Sequence, residues 1–383
     1  MSEREFLRPR WRRGDMTIAE KLWQISWSYV LIIAVIAGIG VIMLYSAGNG
    51  SFDPWASRHA IRFAVGLGVM LTVALIDIRL ILRYAYLLYA ATLVLLVGVE
   101  LMGHVGMGAQ RWIDLGFFHL QPSEVMKIVL VLALARFFHG TDIEQVGRPT
   151  VLLVPLLMVA APAVLVLRQP DLGTALMMVM GAGVIFFLAG VRLWKFGVVL
   201  AAALAALPLA WSLLLHDYQK NRVRTFLDPE RDPLGAGYHI IQSKIALGSG
   251  GIWGKGFLAG TQSHLEFLPE RQTDFIFTML AEERGMIGGL VLLALYALVM
   301  VYGYLFALRS QHQFGRLVVL GVSTTFFLYV FINVAMVMGL IPVVGVPLPL
   351  ISYGGTVMLS LMVGFGLILS VWVHRDVEMG RHG

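Results

Sequence analysis

The sequence predicts an all-α integral membrane protein of about ten transmembrane helices, with a long structured extracytoplasmic loop between spans seven and eight. Three observations carry that prediction. The chain is 58% hydrophobic and only 14% charged, whereas soluble domains hold about a quarter of their residues as charged side chains. Apolar stretches of roughly 17 to 25 residues recur, the length a helix needs to cross about 30 Å of hydrocarbon. Lys and Arg separate onto alternate connections, as the positive-inside rule requires of short loops.

The basic N-terminus, Arg4 to Arg13, precedes a first apolar run at Ile25–Ser46. That run is too long for a signal-peptide core and lacks an Ala-x-Ala cleavage site, so it reads as a retained span. Further spans are predicted over His59–Asp77, Leu82–Met102, Ser123–Phe138, Thr150–Leu167, Leu172–Gly190, Phe196–Leu215, Gly285–Ala307, Leu317–Gly339 and Gly354–Trp372. With both termini inside, Arg79, Arg83, Arg136, Arg148, Arg192, Lys195, Arg309, Arg316, Arg375 and Arg381 are cytoplasmic. The outward connections and nearby helix ends carry only Arg58, Arg62, Arg111, Lys127 and Arg168. The chain divides into a cytoplasmic segment (1–24), one polytopic membrane domain (25–373) and a cytoplasmic tail (374–383). Cysteine is absent, which excludes a disulfide framework, a thiolate metal site and a cysteine nucleophile. The pI near 9.6 is assigned to topology and anionic membrane lipids, with no nucleic-acid partner.

The connection from His216 to Thr273 is the longest polar interruption, and it carries Lys220, Arg222, Arg224, Arg231, Lys244, Lys255 and Arg271 on the outer side. Long segments translocate largely regardless of charge, so the orientation stands. Tyr238, Ile241 and Ile245 fall at helical spacing, which predicts a short helix lying on the membrane surface. Gly248 to Gly260 is predicted as a backbone-dominated turn region; Lys255 is followed by Gly256, so the Walker spacing is absent.

Four polar clusters could carry chemistry, and all four fall on the outer side. In the first, Glu270-Arg271-Gln272-Thr273-Asp274 precedes Phe-Ile-Phe, with Glu282, Glu283 and Arg284 beyond. Apolar neighbours would desolvate Asp274 and raise its pKa toward that of a general base, while Asp is equally suited to capping a helix that begins at Phe275. Glu282 and Glu283 would pair with Arg284 or with the loop's bases. In the second, Arg111 and Asp114 precede a helix start at Ser123, where Glu124 and Lys127 share a face at i, i+3. They read either as functional intramembrane ionisable groups or as a self-neutralised pair. The third is the turn Arg168-Gln-Pro-Asp171, which those two side chains could simply close. The fourth, Pro342 to Gly355, packs prolines and glycines around Ser352 and cannot be regular helix. It reads as a re-entrant segment lining a cavity or as a passive connection. No strong metal-ligand spacing appears.

Long stretches of the chain resemble the SEDS family (shape, elongation, division and sporulation proteins), and its elongation branch more than its division branch. The matching residues are GAQRWIDLG from Gly108, QPSEVMK from Gln121, QPDLGT from Gln169, DPLGAGYHIIQSKIALGSGG from Asp232, GTQSHLEFLPERQTDFIF from Gly260 and GVPLPLISYGG from Gly345. Gln272 and Arg284 depart from the family's usual residues, and neither removes a carboxylate. The resemblance implies a peptidoglycan glycosyltransferase of the bacterial cytoplasmic membrane, active on the outer side during cell elongation. Its substrates would be lipid II and the growing glycan strand, and its partners a class B penicillin-binding protein and other elongation-complex proteins. Asp274 matches the family's essential acidic residue, the expected general base. Substrate-binding residues are expected among Arg111, Glu124, Lys127, Asp171, Arg222, Arg224, Lys244, Glu270, Arg271 and Ser352. The expected cofactor is a divalent cation, Mg²⁺, with its ligands unassigned. A flippase for lipid-linked precursors and a non-catalytic scaffold are the competing readings.

Overall fold

The computed structural model describes residues 16–380 except 103, 107, 108, 115, 117, 118, 210, 213–216, 230–235, 265–269 and 378. Arg4 to Arg13, His216, Arg231 and Arg381 lie outside the described residues. A short helix α1 (Ile18–Gln24) opens with a capping box between Thr17 and Glu20, and its Lys21 Nζ donates to the Leu75 carbonyl at 2.9 Å. Then follow α2 (Trp27–Ala47), α3 (Trp55–Leu75), α4 (Ile78–Met102), α5 (Pro122–His139), α6 (Ile143–Val146), α7 (Pro149–Arg168), α8 (Leu172–Leu188) and α9 (Leu193–Leu209). The long loop contributes α10 (Asp217–Leu227), α11 (Ala236–Ser249) and α12 (Thr261–His264), and the chain closes with α13 (Ile276–Arg309), α14 (Gln313–Val337) and α15 (Gly355–Val373).

Among the described residues seven of these helices, α2, α3, α4, α7, α13, α14 and α15, are long and apolar enough to cross a membrane. Helices α8 and α9 are apolar but shorter, at 17 residues each. Helix α5 has 18 residues and carries Glu124, Lys127 and Arg136, yet nearly all of it is buried, from Pro122 to His139. Its charges are tolerated because they face protein rather than lipid. Helices α5, α14 and α15 form the centre, whereas α9 buries no residue and lies at the rim.

One expectation is corrected and two are refined. The protein is not purely helical: β1 (His104–Gly106), β2 (Ala109–Asp114) and β3 (His119–Leu120) form a small antiparallel sheet in the order β1-β2-β3 between α4 and α5. Pairing these short strands with one another satisfies backbone groups that an isolated loop would leave open. Second, the predicted short helix is present as α11, and one of its faces packs on protein. Ser243 is fully buried, with its Oγ 2.9 Å from Thr278 Oγ1 and donating to the Val337 carbonyl at 2.8 Å. Third, helix begins at Ile276, one residue from the Phe275 start weighed in the sequence, and at Gly285, where the span was predicted to begin, φ +65 and ψ −166 break α13 into a half-helix and a spanning segment. Every residue from Ile276 to Glu283 is buried, so the half-helix folds against protein in a stretch that hydropathy alone assigns to the loop edge.

Candidate functional site

The half-helix sets the position of Asp274. Phe275 occupies the cap position and no side chain caps the helix, so the capping role considered for Asp274 is not the one it adopts. The backbone around it is fastened from three sides. Asn333 Nδ2 on α14 donates to the Asp274 carbonyl at 2.9 Å and to the Val346 carbonyl at 2.7 Å. Ser352 Oγ donates to the Thr273 carbonyl at 2.5 Å while accepting from Leu348 N at 2.7 Å. Tyr353 N donates to the Gln272 carbonyl at 2.8 Å. The segment from Pro342 to Gly354 is therefore neither helix nor slack connection: it is a brace for residues 272–274.

The side chain itself is half-buried, and no hydrogen bond to its carboxylate is found among the described residues. Gly345, at φ +78, lies beside it; a Cβ there would stand 3.4 Å from Asp274 Oδ2. Burial pushes the Asp274 carboxyl up to about 6, the negative charge of Glu270 pushes in the same direction, and Arg222 opposes both. Glu270 is exposed, adopts φ +53 and accepts a hydrogen bond from Thr273 Oγ1 at 2.9 Å. Arg222 reaches the same edge from α10, its Nη1 donating to the Val343 carbonyl at 3.2 Å.

Two further clusters join through α8 and α14. Lys127 Nζ lies 2.8 Å from Glu124 Oε1, both side chains almost inaccessible; Tyr329 donates its hydroxyl to Glu124 Oε2 and presents its ring 4.3 Å from Lys127 Nζ. Tyr329 and Asn333 are one helical turn apart on α14, so one face of that helix touches both the ion pair and the Asp274 backbone. Asp171 caps α8 by accepting from Thr174 N at 3.1 Å and Thr174 Oγ1 at 3.0 Å. Arg111 wraps the same turn, donating to Gln169 O at 2.9 Å and Pro170 O at 2.6 Å, with Asp171 Oδ2 4.0 Å away. Arg168 does not close this turn; it pairs with Glu100 at 3.5 Å. Behind the cap, a Cβ on Gly173 would collide with Val344, which places α8 against the segment that lies beside Asp274.

Residues 26–377 match the model of the FtsW, RodA and SpoVE cell cycle proteins. The chain belongs to this family. It is 46% identical over 348 residues to the peptidoglycan glycosyltransferase MrdB of Escherichia coli (strain K12), covering 91% of this chain and 93% of that one. It is 37% identical over 325 residues to MrdB of Helicobacter pylori, covering 84% of each chain. A chain from a peptidoglycan synthase complex that coordinates polymerization and crosslinking superimposes with a TM-score of 0.80 at 32% identity, covering 93% and 99% of the two chains. The rod shape determining protein RodA of Thermus thermophilus gives 0.69 at 29% identity, covering 93% and 98%.

Within this FtsW/RodA/SpoVE chain the expected site residues fall into three groups. Asp274, Glu270, Arg222 and Ser352 come together at one edge, and Arg111 with Asp171 and Glu124 with Lys127 form the two neighbouring clusters. Arg224 and Lys244 are exposed on α10 and α11, and no described contact joins them to Asp274. Arg271 is buried and donates to the Ser263 carbonyl, inside the loop fold. Tyr329 and Asn333 escaped the sequence reading. Their signal was a Tyr-x-x-x-Asn pair within an apolar span, where an isolated amide is expensive unless it has partners.

Proposed function

We propose that the chain is a glycosyltransferase that polymerises lipid II into glycan strands during cell elongation, with Asp274 as its general base. It would do so from a bacterial cytoplasmic membrane, through ten spans with both termini inside and the site on the outer face. The observation that carries this reading is a half-buried carboxylate with a raised pKa, held by three backbone tethers and left without a hydrogen-bond donor among the described residues. A base near pKa 6 is largely ionised at neutral pH yet still binds a proton well. Asp274 takes the proton from the acceptor's GlcNAc 4-hydroxyl as that oxygen attacks C1 of the donor MurNAc. The C1–oxygen bond to undecaprenyl diphosphate breaks and the diphosphate leaves with the bonding electrons.

Positive charge near the leaving group lowers the barrier by opposing the charge that develops there. Arg222, whose charge acts on Asp274, would take that role, with Arg111 in an adjoining cluster; Lys127, buried against Glu124, would act only by holding that cluster together. Arg224 and Lys244 would act on a longer substrate from the exposed faces of the loop. Ser352 and Arg271 serve chiefly by holding backbone. Among the described residues no three His, Asp or Glu side chains converge to hold a metal. Mg²⁺ stays the expected cofactor with its protein ligands unassigned; it would supply positive charge at the substrate's diphosphate. The class B penicillin-binding protein expected as partner draws support from the related chain solved within a synthase complex.

The test is polymerisation of lipid II by the purified full-length chain with a transpeptidase-silenced partner. Glycan strands from the native chain and none from Asp274→Ala support the reading. Undiminished strands from Asp274→Ala sink the general-base role, and lipid II translocation without polymerisation favours a flippase.

A further inference from the structure

The half-helix behind Asp274 stops at the Gly285 break, so the membrane-spanning part of α13 cannot hold it rigid. Its far end must be fastened separately. That end carries two consecutive, completely buried carboxylates, Glu282 and Glu283, at a helix C-terminus where the macrodipole disfavours negative charge. Unpaired, each would be strongly destabilising.

The loop before α12 and α12 itself supply the compensation for Glu282. It accepts from Lys255 Nζ at 2.8 Å, Gln262 N at 2.9 Å, Ser263 N at 3.1 Å and Ser263 Oγ at 2.7 Å. The same loop closes the backbone of the break: Lys255 N and Gly256 N donate to the Glu282 and Glu283 carbonyls, and Met286 N and Ile287 N donate to Gly251 O and Ile252 O. This close approach explains the glycines, since a Cβ at Gly250 or Gly254 would collide with the carbonyl of Ala281 or Glu283.

Glu283 is served differently, by the outer end of α2. Ser46 Oγ donates to Glu283 Oε1 at 2.5 Å, and His264 Nε2 lies 3.0 Å from the same oxygen. The other ring nitrogen of His264 lies 2.6 Å from Asn49 Oδ1, so the ring bridges Asn49 and Glu283. Arg284 takes no part; it lies 5.2 Å over the Phe257 ring. Helix α2 thus reaches the half-helix through one buried carboxylate and one imidazole.

We propose that Glu283, His264, Ser46 and Asn49 form a latch that fastens the half-helix Ile276–Arg284 to the outer end of α2 and thereby positions Asp274. They are positioning residues and touch no substrate. The inference rests on the reading of Asp274 as the base.

The test compares Glu283→Gln, His264→Gln and the double variant of the full-length chain in nanodiscs. Two readouts are used: lipid II polymerisation kinetics and amide hydrogen exchange. Misplacing a reacting group by about 1 Å can cost roughly 100-fold, so kcat should fall roughly 10- to 100-fold with KM within about twofold of native. The double variant should be no slower than the slower single one, because the two side chains act as one contact. Exchange should quicken across residues 271–284 and stay unchanged in α5 and α14. Native kcat together with native exchange in Glu283→Gln overturns the latch, as does a loss of protection spread evenly through α5 and α14. If the native chain makes no glycan, the proposed function fails and exchange alone decides: faster over 271–284 supports the latch, unchanged exchange overturns it. Should Glu283→Gln not be recovered from membranes, Ser46→Ala and His264→Gln carry the same comparison.

Discussion

A carboxylate that accepts a proton near neutral pH must be more basic than a solvated aspartate, and Asp274 reaches about 6 through burial and the nearby charge of Glu270. As the proposed base it would work only when ionised, so polymerisation should rise with pH through an acid limb near 6. Removing a negative neighbour makes ionisation easier: Glu270→Gln should move the limb to lower pH. Removing a cation makes it harder: Arg222→Gln should move the limb to higher pH. The pH profile of kcat for the three proteins checks both signs, and a shared limb would remove Asp274 from the titration. The buried pair of Glu124 and Lys127 belongs to the same scale. Breaking a buried ion pair from one side leaves an uncompensated charge at a cost of about 3–5 kcal/mol. Lys127→Met should therefore lower the thermal midpoint markedly, and Glu124→Gln added to it should restore part of the loss.

The glycines of the long loop separate into those that must be glycine and those that need not be. Gly254, at φ +82, would drive a Cβ into the Glu283 carbonyl, whereas nothing lies within 4 Å of a Cβ on Gly248 in α11. Gly254→Ala should cost about 2 kcal/mol or more from backbone strain and overpacking, and Gly248→Ala should be neutral or stabilising by up to about 1 kcal/mol. Thermal unfolding in detergent compares them directly. The sequence marked this region as backbone-dominated but held no sign of its target. The carbonyls it packs against belong to a half-helix whose apolar run, Phe275 to Ala281, is too short for a span and ends in Glu282, Glu283 and Arg284, so its burial against protein was not legible. Likewise β1 and β3, of three and two residues, are too short to show an alternating pattern, and β2, Ala109–Asp114, does not alternate.

At the scale of the whole molecule a mostly helical membrane chain was legible, with seven helices of membrane-crossing length among the described residues, because apolar length is dictated by the bilayer. The location of Asp274 was legible too, since its acidic side chain stands between a polar loop and an apolar run. Its supports were not: Asn333 and the Ser352 brace act across 59 and 79 residues of sequence, just as Tyr329 reaches Glu124 across 205, and no local pattern encodes a partner so distant. The orientation has a direct check, because the chain contains no cysteine. In intact cells a membrane-impermeant thiol reagent should label Asp228→Cys, while Gln311→Cys should react only after permeabilisation. The reverse pattern would invert the topology and place Asp274 on the wrong side for lipid II.

The central claim is that Asp274 removes the acceptor proton, and turnover of lipid II by Asp274→Asn measures it most directly. The asparagine keeps the shape and all three backbone tethers but cannot take the proton. The account predicts that kcat falls by roughly 100-fold or more, the scale of a lost general base, with lipid II binding retained. Near-native kcat in that variant would contradict it.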